Sequence, residues 1–358
     1  MISTWEDRKA IRSLRVGVVP SSHVLKLTVG SEHFKNVLEN ELENLPLGKH
    51  RTCVISGEWG AGKSNLLKYL KELALTRNTA VAYINLNGRA SAVNHPQRFY
   101  HHIVSDLKVR EVPEKGIIAL LLCKLGNPSF VKMSNEWVSL NWDHSELARA
   151  FENLLNGSYG VESSLAVILG TDLAWSNYAY KKEKAIRRIE DLGSYLKTVG
   201  FNGLLIQFDE LETIEQLWNS RSRQSAYKVL FTLINFKNVW SVFATTERFS
   251  QRLNHDKNGG IVNDPEAIGF AEDYFRLPTI KPPTFNLKLA SELLNRILGL
   301  YGDVYAIPTG LNLQQSLESW SQMPFRNPRR LIRHAIDYLD RHRLVPAIQT
   351  STCGSSRK

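Results

Sequence analysis

The segment that decides the fold reads GEWGAGKS and occupies residues 57–64. It fills every fixed position of the pattern G-x-x-x-x-G-K-[ST]. The residues before it, RTCVISG (51–57), are apolar and β-branched and predict a buried strand, whereas SNLLKYLKELAL (64–75) places leucines at helical spacing. The segment therefore joins a strand to a helix, which is the setting that a phosphate-binding loop requires.

This loop predicts a nucleotide site that holds Mg²⁺. Its glycines let the backbone turn tightly so that amide hydrogens converge on a phosphate, and the following helix adds positive charge at its N-terminus. Lys63 is expected to contact the β- and γ-phosphates as a catalytic residue, and the Ser64 hydroxyl to bind the metal. The loop and helix residues expected to contact the nucleotide are Gly57, Glu58, Trp59, Gly60, Ala61, Gly62, Lys63, Ser64 and Asn65.

A second apolar run, LLIQFDE (204–210), ends in two acids. A phosphate-binding loop is accompanied by such a strand, whose terminal acid holds Mg²⁺. Asp209 suits the metal, and Glu210 suits the general base that polarises the attacking water. The acid pair favours hydrolysis over storage of the nucleotide, although the same two letters also occur in surface turns.

A third strand is predicted by VFATTE (242–247), and it carries hydroxyls at its end. Such a strand is expected to pass beside the phosphates. Thr245 or Thr246 would then contact the nucleotide, and we take Thr245 as the candidate. The alternative is a hydroxyl that only satisfies the end of the strand.

The region PFRNPRRLIRHAIDYLDRHR (324–343) predicts a basic helix. Asn327 suits its cap and Pro328 its first turn. Arg329, or Arg330 beside it, would reach the γ-phosphate as a catalytic residue, since arginine stays charged and binds phosphate through two hydrogen bonds. The alternative is a helix that faces solvent or DNA.

The alternation of strands and helices predicts a parallel sheet covered on both faces. The stretch 254–269, rich in Gly, Asn and Asp, is expected to be a mobile loop. The predicted parts are an N-terminal extension (1–30), a P-loop domain (31–280) with a helical insertion over about 96–200, a small helical lid domain (281–345) and a disordered tail (346–358).

The net charge limits the class of partner. It is +10, from 45 Lys and Arg against 35 Asp and Glu, which favours nucleic acid or another polyanion. Positive charge is concentrated in residues 181–188 (KKEKAIRR) and 326–343. If these stretches contact DNA, binding is expected to be sequence-independent and salt-sensitive because it rests on phosphates. A solvated charged face is the alternative.

Cysteine usage and hydropathy exclude two other classes. The cysteines at 53, 123 and 353 have no metal-ligand spacing, which argues against a zinc module. The N-terminus has no apolar signal core, and the longest apolar run, IIALLLC (117–123), is far shorter than the ~20 residues of a membrane helix. We therefore expect a cytoplasmic protein with no membrane partner.

Phosphate loop, acid pair, threonine strand and arginine helix, in that order, resemble AAA+ ATPases. The predicted fold is accordingly α/β: a P-loop NTPase of AAA+ type, with a parallel sheet flanked by helices, a long helical insertion and a small C-terminal helical lid domain. The chain also resembles the ATP-binding proteins of BREX-type phage-defence systems, and it does so in IRSLRVGVVP (11–20), LTVG (27–30), GEWGAGKS, GLLIQFDELE (203–212) and FRNPRRLIRHAIDYLD (325–340). Trp59 and the pair Ser64-Asn65 replace the tyrosine and threonine-histidine expected of that family.

The resemblance implies ATP and Mg²⁺ as cofactors, with Lys63 and Ser64 at the nucleotide and Asp209 and Glu210 at the metal and water. It also implies an ATPase that acts as a DNA-associated motor or switch in a defence complex. Expected partners are a helicase-like or other defence protein and a second copy of the chain. The alternatives are an AAA+ regulator of transposition or replication, and an ATP-binding scaffold with little turnover.

Overall fold

The computed structural model describes residues 5–86, 93–157, 160–172, 178–217, 219–323 and 327–343, with the backbone alone at 178–181. The predicted tail 346–358 lies outside the described residues. The chain divides into two compact units. We call Ser31–Pro283 the sheet unit, and the described residues of Met1–Gly30 and Thr284–Lys358 the helical unit.

The described helices follow one another through both units. In chain order they are Trp5–Arg15 (α1), Val24–Leu27 (α2), Lys35–Asn44 (α3), Lys63–Thr76 (α4), Pro96–Asp106 (α5), Ile117–Lys124 (α6), Pro128–Asn141 (α7), Glu146–Leu155 (α8), Val161–Leu169 (α9), Tyr178–Thr198 (α10), Ser220–Ile234 (α11), Glu247–Asn258 (α12), Pro265–Tyr274 (α13), Leu287–Val304 (α14), Gln314–Ser321 (α15) and Pro328–His342 (α16). None of these described helices is long and apolar enough to cross a membrane.

The sheet unit is built on a parallel sheet of short, buried strands. They are Cys53–Ser56 (β1), Ala80–Asn85 (β2), Leu204–Asp209 (β3), Val239–Thr245 (β4) and Thr279–Ile280 (β5). Within the described residues the strand order is β2-β3-β4-β1-β5. Strands of a parallel sheet are buried on both faces and therefore read as continuous apolar runs, which is why the sequence predicts β1, β3 and β4. β5 has two residues and no such signal.

Helices cover both faces of this sheet. The side-chain amide of Gln207 on β3 donates to the Leu67 carbonyl of α4 at 2.8 Å. The next residue, Phe208, packs its ring against Phe99 of α5, with the ring centroids 6.4 Å apart. Successive strand residues point to opposite faces, so α4 and α5 lie on opposite sides of the sheet. The predicted α/β fold is confirmed.

The predicted helical insertion is confirmed as α5–α10. Its interior is aromatic: the rings of Phe151 and Tyr195 stack with centroids 4.3 Å apart, and Trp137 meets Tyr195 edge-on at 5.2 Å. These residues come from α7, α8 and α10. Since α10 contacts β3 and α5 contacts β2, two helices of the insertion also form part of the cover of the sheet.

The prediction of a mobile loop over residues 254–269 is wrong. α12 continues to Asn258 and α13 begins at Pro265, so a short connection separates two helices. The Asp264 carboxylate accepts a hydrogen bond from the Glu266 amide, and Pro265 fills the first position of α13. Asp and Pro in this order are a helix start signal, which the Gly and Asn content of the stretch obscured.

The helical unit brings together the two ends of the described chain. Its apolar core contains Ile11 and Leu14 of α1 together with residues of α14 and α16. Arg15 donates two hydrogen bonds to the Asp340 carboxylate, at 2.8 and 2.9 Å. Gly17, with φ +73°, allows the chain to pass close to α16, because an added Cβ would lie 2.4 Å from Cγ of Arg329.

Candidate nucleotide-binding site

The loop between β1 and α4 has the backbone of a phosphate cradle. Gly60 and Gly62 adopt positive φ, 82° and 99°, which only glycine adopts without strain. The first helical hydrogen bond of α4 runs from the Leu66 amide to the Gly62 carbonyl, so the amides of Lys63 and Ser64 lie outside the helical ladder. Such amides at a helix N-terminus bind anions, and the loop therefore fits a phosphate.

The side chain of Lys63 hydrogen-bonds to the backbone of this loop. Its Nζ donates to the carbonyls of Gly57 and Glu58, at 2.7 and 3.2 Å, and its side chain is buried. Gly57 is tightly enclosed, since an added Cβ would lie 3.2 Å from Cβ of Ala61. The ammonium group is thus held beside the backbone that would surround a phosphate. Its contact with the β- and γ-phosphates stays a prediction.

The acids that end β3 lie at the same edge of the sheet. Asp209 is 2% exposed, and its Oδ1 accepts the Glu210 amide at 3.0 Å. Burial, followed by the carboxylates of Asp209 and Glu212, raises the pKa of Glu210, and Lys63 lowers it. Because β1 and β3 run parallel in one sheet, the loop that follows β1 and the acids that end β3 lie at the same edge of that sheet.

Two residues of this site were missed in the sequence. Tyr83 of β2 donates its hydroxyl to Oδ2 of Asp209 at 2.8 Å, and burial and Asp209 raise the pKa of that hydroxyl. Glu212 lies in the 3₁₀ turn Leu211–Gln216, where burial raises its pKa against the attraction of Lys63. The acidic run DELE was the signal available for Glu212, whereas Tyr83 belongs to an ordinary strand sequence.

Thr245 lies where β4 runs beside β1. It is fully buried, and its carbonyl accepts the Gly57 amide at 3.2 Å, which ties β4 to the phosphate loop. Its hydroxyl donates to the Thr246 carbonyl at 3.4 Å. The Thr246 hydroxyl oxygen is buried and has no hydrogen-bond partner within the described residues. Contact of either hydroxyl with a γ-phosphate stays a prediction.

The remaining predicted residues fall in three places. Glu58, Trp59 and Ala61 are exposed on the loop, with 78% of Trp59 accessible. Ser64 and Asn65 lie in the first turn of α4. Arg329 lies in the helical unit at the first turn of α16, whose cap is Asn327 as predicted. The role of Arg329 at the γ-phosphate stays a prediction.

The side chains available for a metal are few. Among the described residues, no group of three or more His, Cys, Asp or Glu side chains could hold an ion. Mg²⁺ typically takes one or two protein oxygens together with phosphates and water. Ser64 and Asp209 fit that smaller requirement.

Three of the basic residues in the cluster at 181–188 are paired with acids. Arg188 is buried and paired with Asp172 and Glu146, at 2.7 and 2.9 Å. Lys184 also pairs with Glu146, and Arg187 pairs with Glu183 on the same helix. The pairs with Glu146 form because α10 packs against α8, and Arg188 also donates to the Val167 carbonyl of α9 at 3.1 Å.

Comparison with known proteins adds independent findings. The family model of the BREX system ATP-binding protein BrxC/D matches residues 2–166 and 177–356. Two similar solved structures are the Walker-type ATPase PABY2304 of Pyrococcus abyssi (16% identity, 87% of this chain and 68% of that chain, TM-score 0.49) and a DNA replication initiation factor (11% identity, 87% and 62%, TM-score 0.40). The chain thus spans less than two thirds of the second structure. The comparison with curated proteins gave no match.

The parallel sheet, the phosphate loop after β1 and the acids at the end of β3 define an α/β fold of the AAA+-like P-loop class. The family model covers nearly the whole length of the chain, so it assigns the chain to one family within this fold class. The chain belongs to the BREX system ATP-binding protein BrxC/D family.

Proposed function

We propose that this protein is a Mg²⁺-dependent ATPase that works as a DNA-associated switch in a BREX-type defence complex. The observation that carries the proposal is that Lys63, after β1, and the acid pair that ends β3 lie at the same edge of one parallel sheet. A site that only stores nucleotide has no need of a second acid beside the metal ligand. The expected location is the cytoplasm, and the expected partner is a helicase-like protein of the same system.

Each residue of the site has a distinct task in this proposal. Bound MgATP would supply a phosphoanhydride bond that water can cleave. Lys63 and the amides at the start of α4 would hold its phosphates, and Ser64 and Asp209 its metal. Glu210 would accept the proton of the attacking water, which its raised pKa favours.

Contact with DNA is assigned to α16 in this proposal. Arg329, Arg330 and Arg333 are exposed in the first two turns of this helix. Neither Arg330 nor Arg333 forms an ion pair with a described residue. They remain available for backbone phosphates, which are recognised by charge rather than by sequence.

The test is steady-state ATP hydrolysis by the full chain at low salt, with and without double-stranded DNA. We expect Mg²⁺-dependent turnover that DNA stimulates, and none with Lys63→Ala, which should also fail to bind ATP. Turnover that is indifferent to DNA would contradict the DNA-associated part and favour activation by a partner protein. Tight ATP binding without turnover would contradict the ATPase and favour the scaffold.

A further inference from the structure

Tyr83 holds the acid pair from the neighbouring strand. In the β2–β3 ladder Tyr83 is opposite Gln207 and Asn85 is opposite Asp209. Tyr83 and Asp209 are therefore diagonal neighbours on one face of the sheet, a separation that an aromatic side chain can bridge. The hydroxyl of Tyr83 does so, 2.8 Å from Oδ2 of Asp209.

The same carboxylate also holds the backbone of Glu210. Its second oxygen, Oδ1, accepts the Glu210 amide at 3.0 Å, and Thr213 donates its hydroxyl to the Glu210 carbonyl at 2.8 Å. These bonds surround Glu210, whose φ of 62° and ψ of 45° form a left-handed conformation that is unfavourable for residues other than glycine. The orientation of Asp209 and the backbone of Glu210 are therefore linked.

Tyr83 is itself fixed at its backbone. Its amide donates to Oδ2 of Asp106 at 3.1 Å, and Asp106 ends α5, the first helix of the insertion. A continuous path of hydrogen bonds thus runs from the insertion through Tyr83 and Asp209 to Glu210. The hydroxyl is the link in that path that a single substitution can remove without changing the ring.

We propose that Tyr83 is a positioning residue of the ATPase site, which orients Asp209 toward the metal and, through Asp209, keeps Glu210 in place. The proposal rests on the proposed ATPase function. A buried carboxylate that loses a charge-assisted hydrogen bond turns toward another donor, and this change of orientation weakens a metal site. Loss of a hydrogen-bond partner behind a metal ligand typically costs roughly 10- to 100-fold in metal affinity.

The test compares Tyr83→Phe with Tyr227→Phe. Tyr227 donates to Oδ2 of the buried Asp256 at 3.1 Å, so the control removes the same kind of bond elsewhere in the sheet unit. Binding of a fluorescent ADP analogue gives two quantities. One is the affinity for ADP in EDTA, and the other is the Mg²⁺ midpoint, the Mg²⁺ concentration that gives half of the metal-dependent increase in nucleotide affinity. We expect Tyr83→Phe to change the ADP affinity in EDTA by no more than about twofold. The Mg²⁺ midpoint should rise about tenfold, the low end of the 10- to 100-fold loss typical of such a bond. Tyr227→Phe should change neither.

Rescue separates the hydrogen bond from ring packing. Replacement of Tyr83 by 4-aminophenylalanine, an unnatural residue with an N–H donor at the position of the hydroxyl, should recover part of the Mg²⁺ affinity. Equal loss with this residue and with phenylalanine, or an unchanged Mg²⁺ midpoint in Tyr83→Phe, would overturn the proposal. If the wild type binds Mg²⁺ and nucleotide without hydrolysing ATP, the ATPase fails, while the binding measurement still tests Tyr83.

Discussion

Glu210 occupies a backbone conformation that residues with side chains seldom adopt. Its φ of 62° costs roughly 1–2 kcal/mol relative to a right-handed residue. Such conformations persist where surrounding bonds enforce them, and they concentrate at functional sites. Here the enforcing bonds come from Asp209 and Thr213, two neighbours in the same turn. The strain therefore supports the role proposed for Glu210.

Replacement of Glu210 by glutamine tests its role as the general base. Glu210→Gln keeps the size of the side chain and removes the base, so turnover should fall about 10²- to 10⁴-fold while ATP binding remains. Single-turnover hydrolysis and nucleotide binding measure the two effects. The comparison variant is Glu212→Gln, because Lys63 also lowers the pKa of Glu212. Equal turnover in wild type and Glu210→Gln would remove Glu210 as the base, and a loss confined to Glu212→Gln would transfer the role.

At the residue scale, what could be predicted was set by spacing along the chain. The loop pattern identified Lys63, and the end of an apolar run identified Asp209 and Glu210, because both signals are local. Tyr83 gave no signal, since its contact depends on the register between β2 and β3. Register is fixed by the packed sheet and is not written in either strand alone.

At the element scale, α16 shows how closely two segments are fitted. Gly17, with φ +73°, leaves no room for a side chain, since an added Cβ would lie 2.7 Å from the Arg329 carbonyl oxygen. Gly310 has a similar φ of +80° in the same unit, but its surroundings are open. Comparison of substitutions at Gly17 and Gly310 therefore separates the energetic cost of an unfavourable φ from the cost of a steric clash.

We expect Gly17→Ala to lower the free energy of unfolding of the helical unit by about 3 kcal/mol, because overpacking against backbone adds to the φ term. Gly310→Ala should cost about 1 kcal/mol. Hydrogen exchange of α1 and α16 peptides in urea would measure both. Equal effects of the two substitutions would show that the close approach at Gly17 relaxes freely.

The exposed arginines of α16 allow a second test at this scale. If Arg330 and Arg333 each neutralise a phosphate, Arg330→Ala with Arg333→Ala should weaken DNA binding. The double variant should also reduce the log–log salt slope by about 1.8. Titration of DNA at several salt concentrations gives the slope. Arg187→Ala is the control, since Arg187 is exposed but paired with Glu183. A slope equal to that of the wild type would exclude α16 as the DNA contact.

Elements differed in how well the sequence predicted them. α16 was predicted with its cap because Asn327 and Pro328 form a strong start signal. The ends of α12 and α13 were misread as a loop, since Gly and Asn near two helix termini imitate an irregular segment. The pairing of charges on α10 had no local signal, because a run of basic residues does not show which of them, like Arg188, will be buried.

At the scale of the whole molecule, the sheet unit is an insertion within the helical unit. Residues 5–30 and the helices after Thr284 share one core, with Leu14 and Leu293 among its buried residues. No local pattern in α1 predicts this partnership. The amphipathic helix shows that a partner exists, but only the folded chain shows that the partner comes from the opposite end.

The ion pair between these ends predicts a pH dependence. Hydrogen bonds from Arg15 hold the pKa of Asp340 below its usual value. A carboxyl whose pKa is depressed on folding stabilises above its unfolded pKa of about 4, and the contribution is lost as pH falls through the folded value.

Asp340→Asn should therefore destabilise the helical unit by about 1 kcal/mol at pH 7, a modest figure because the pair is about one third exposed. The difference from wild type should shrink as the pH falls below about 4. Urea unfolding at both pH values, followed by hydrogen exchange of α16, measures it. Asp337→Asn is the control, since its pair with Arg341 is exposed. A difference that does not change with pH would contradict the assignment.

The pairing of Arg15 with Asp340 also bears on how the protein is made, because 325 positions separate the two residues. A ribosome that adds ~5–20 residues per second needs roughly 15 to 65 seconds to cover that interval. During most of this interval the nascent α1 exposes Ile11 and Leu14, because α14 and α16, which contact it, are made only after the whole sheet unit. The speed of translation, rather than any contact of the finished protein, sets how long that apolar surface must be kept from other chains.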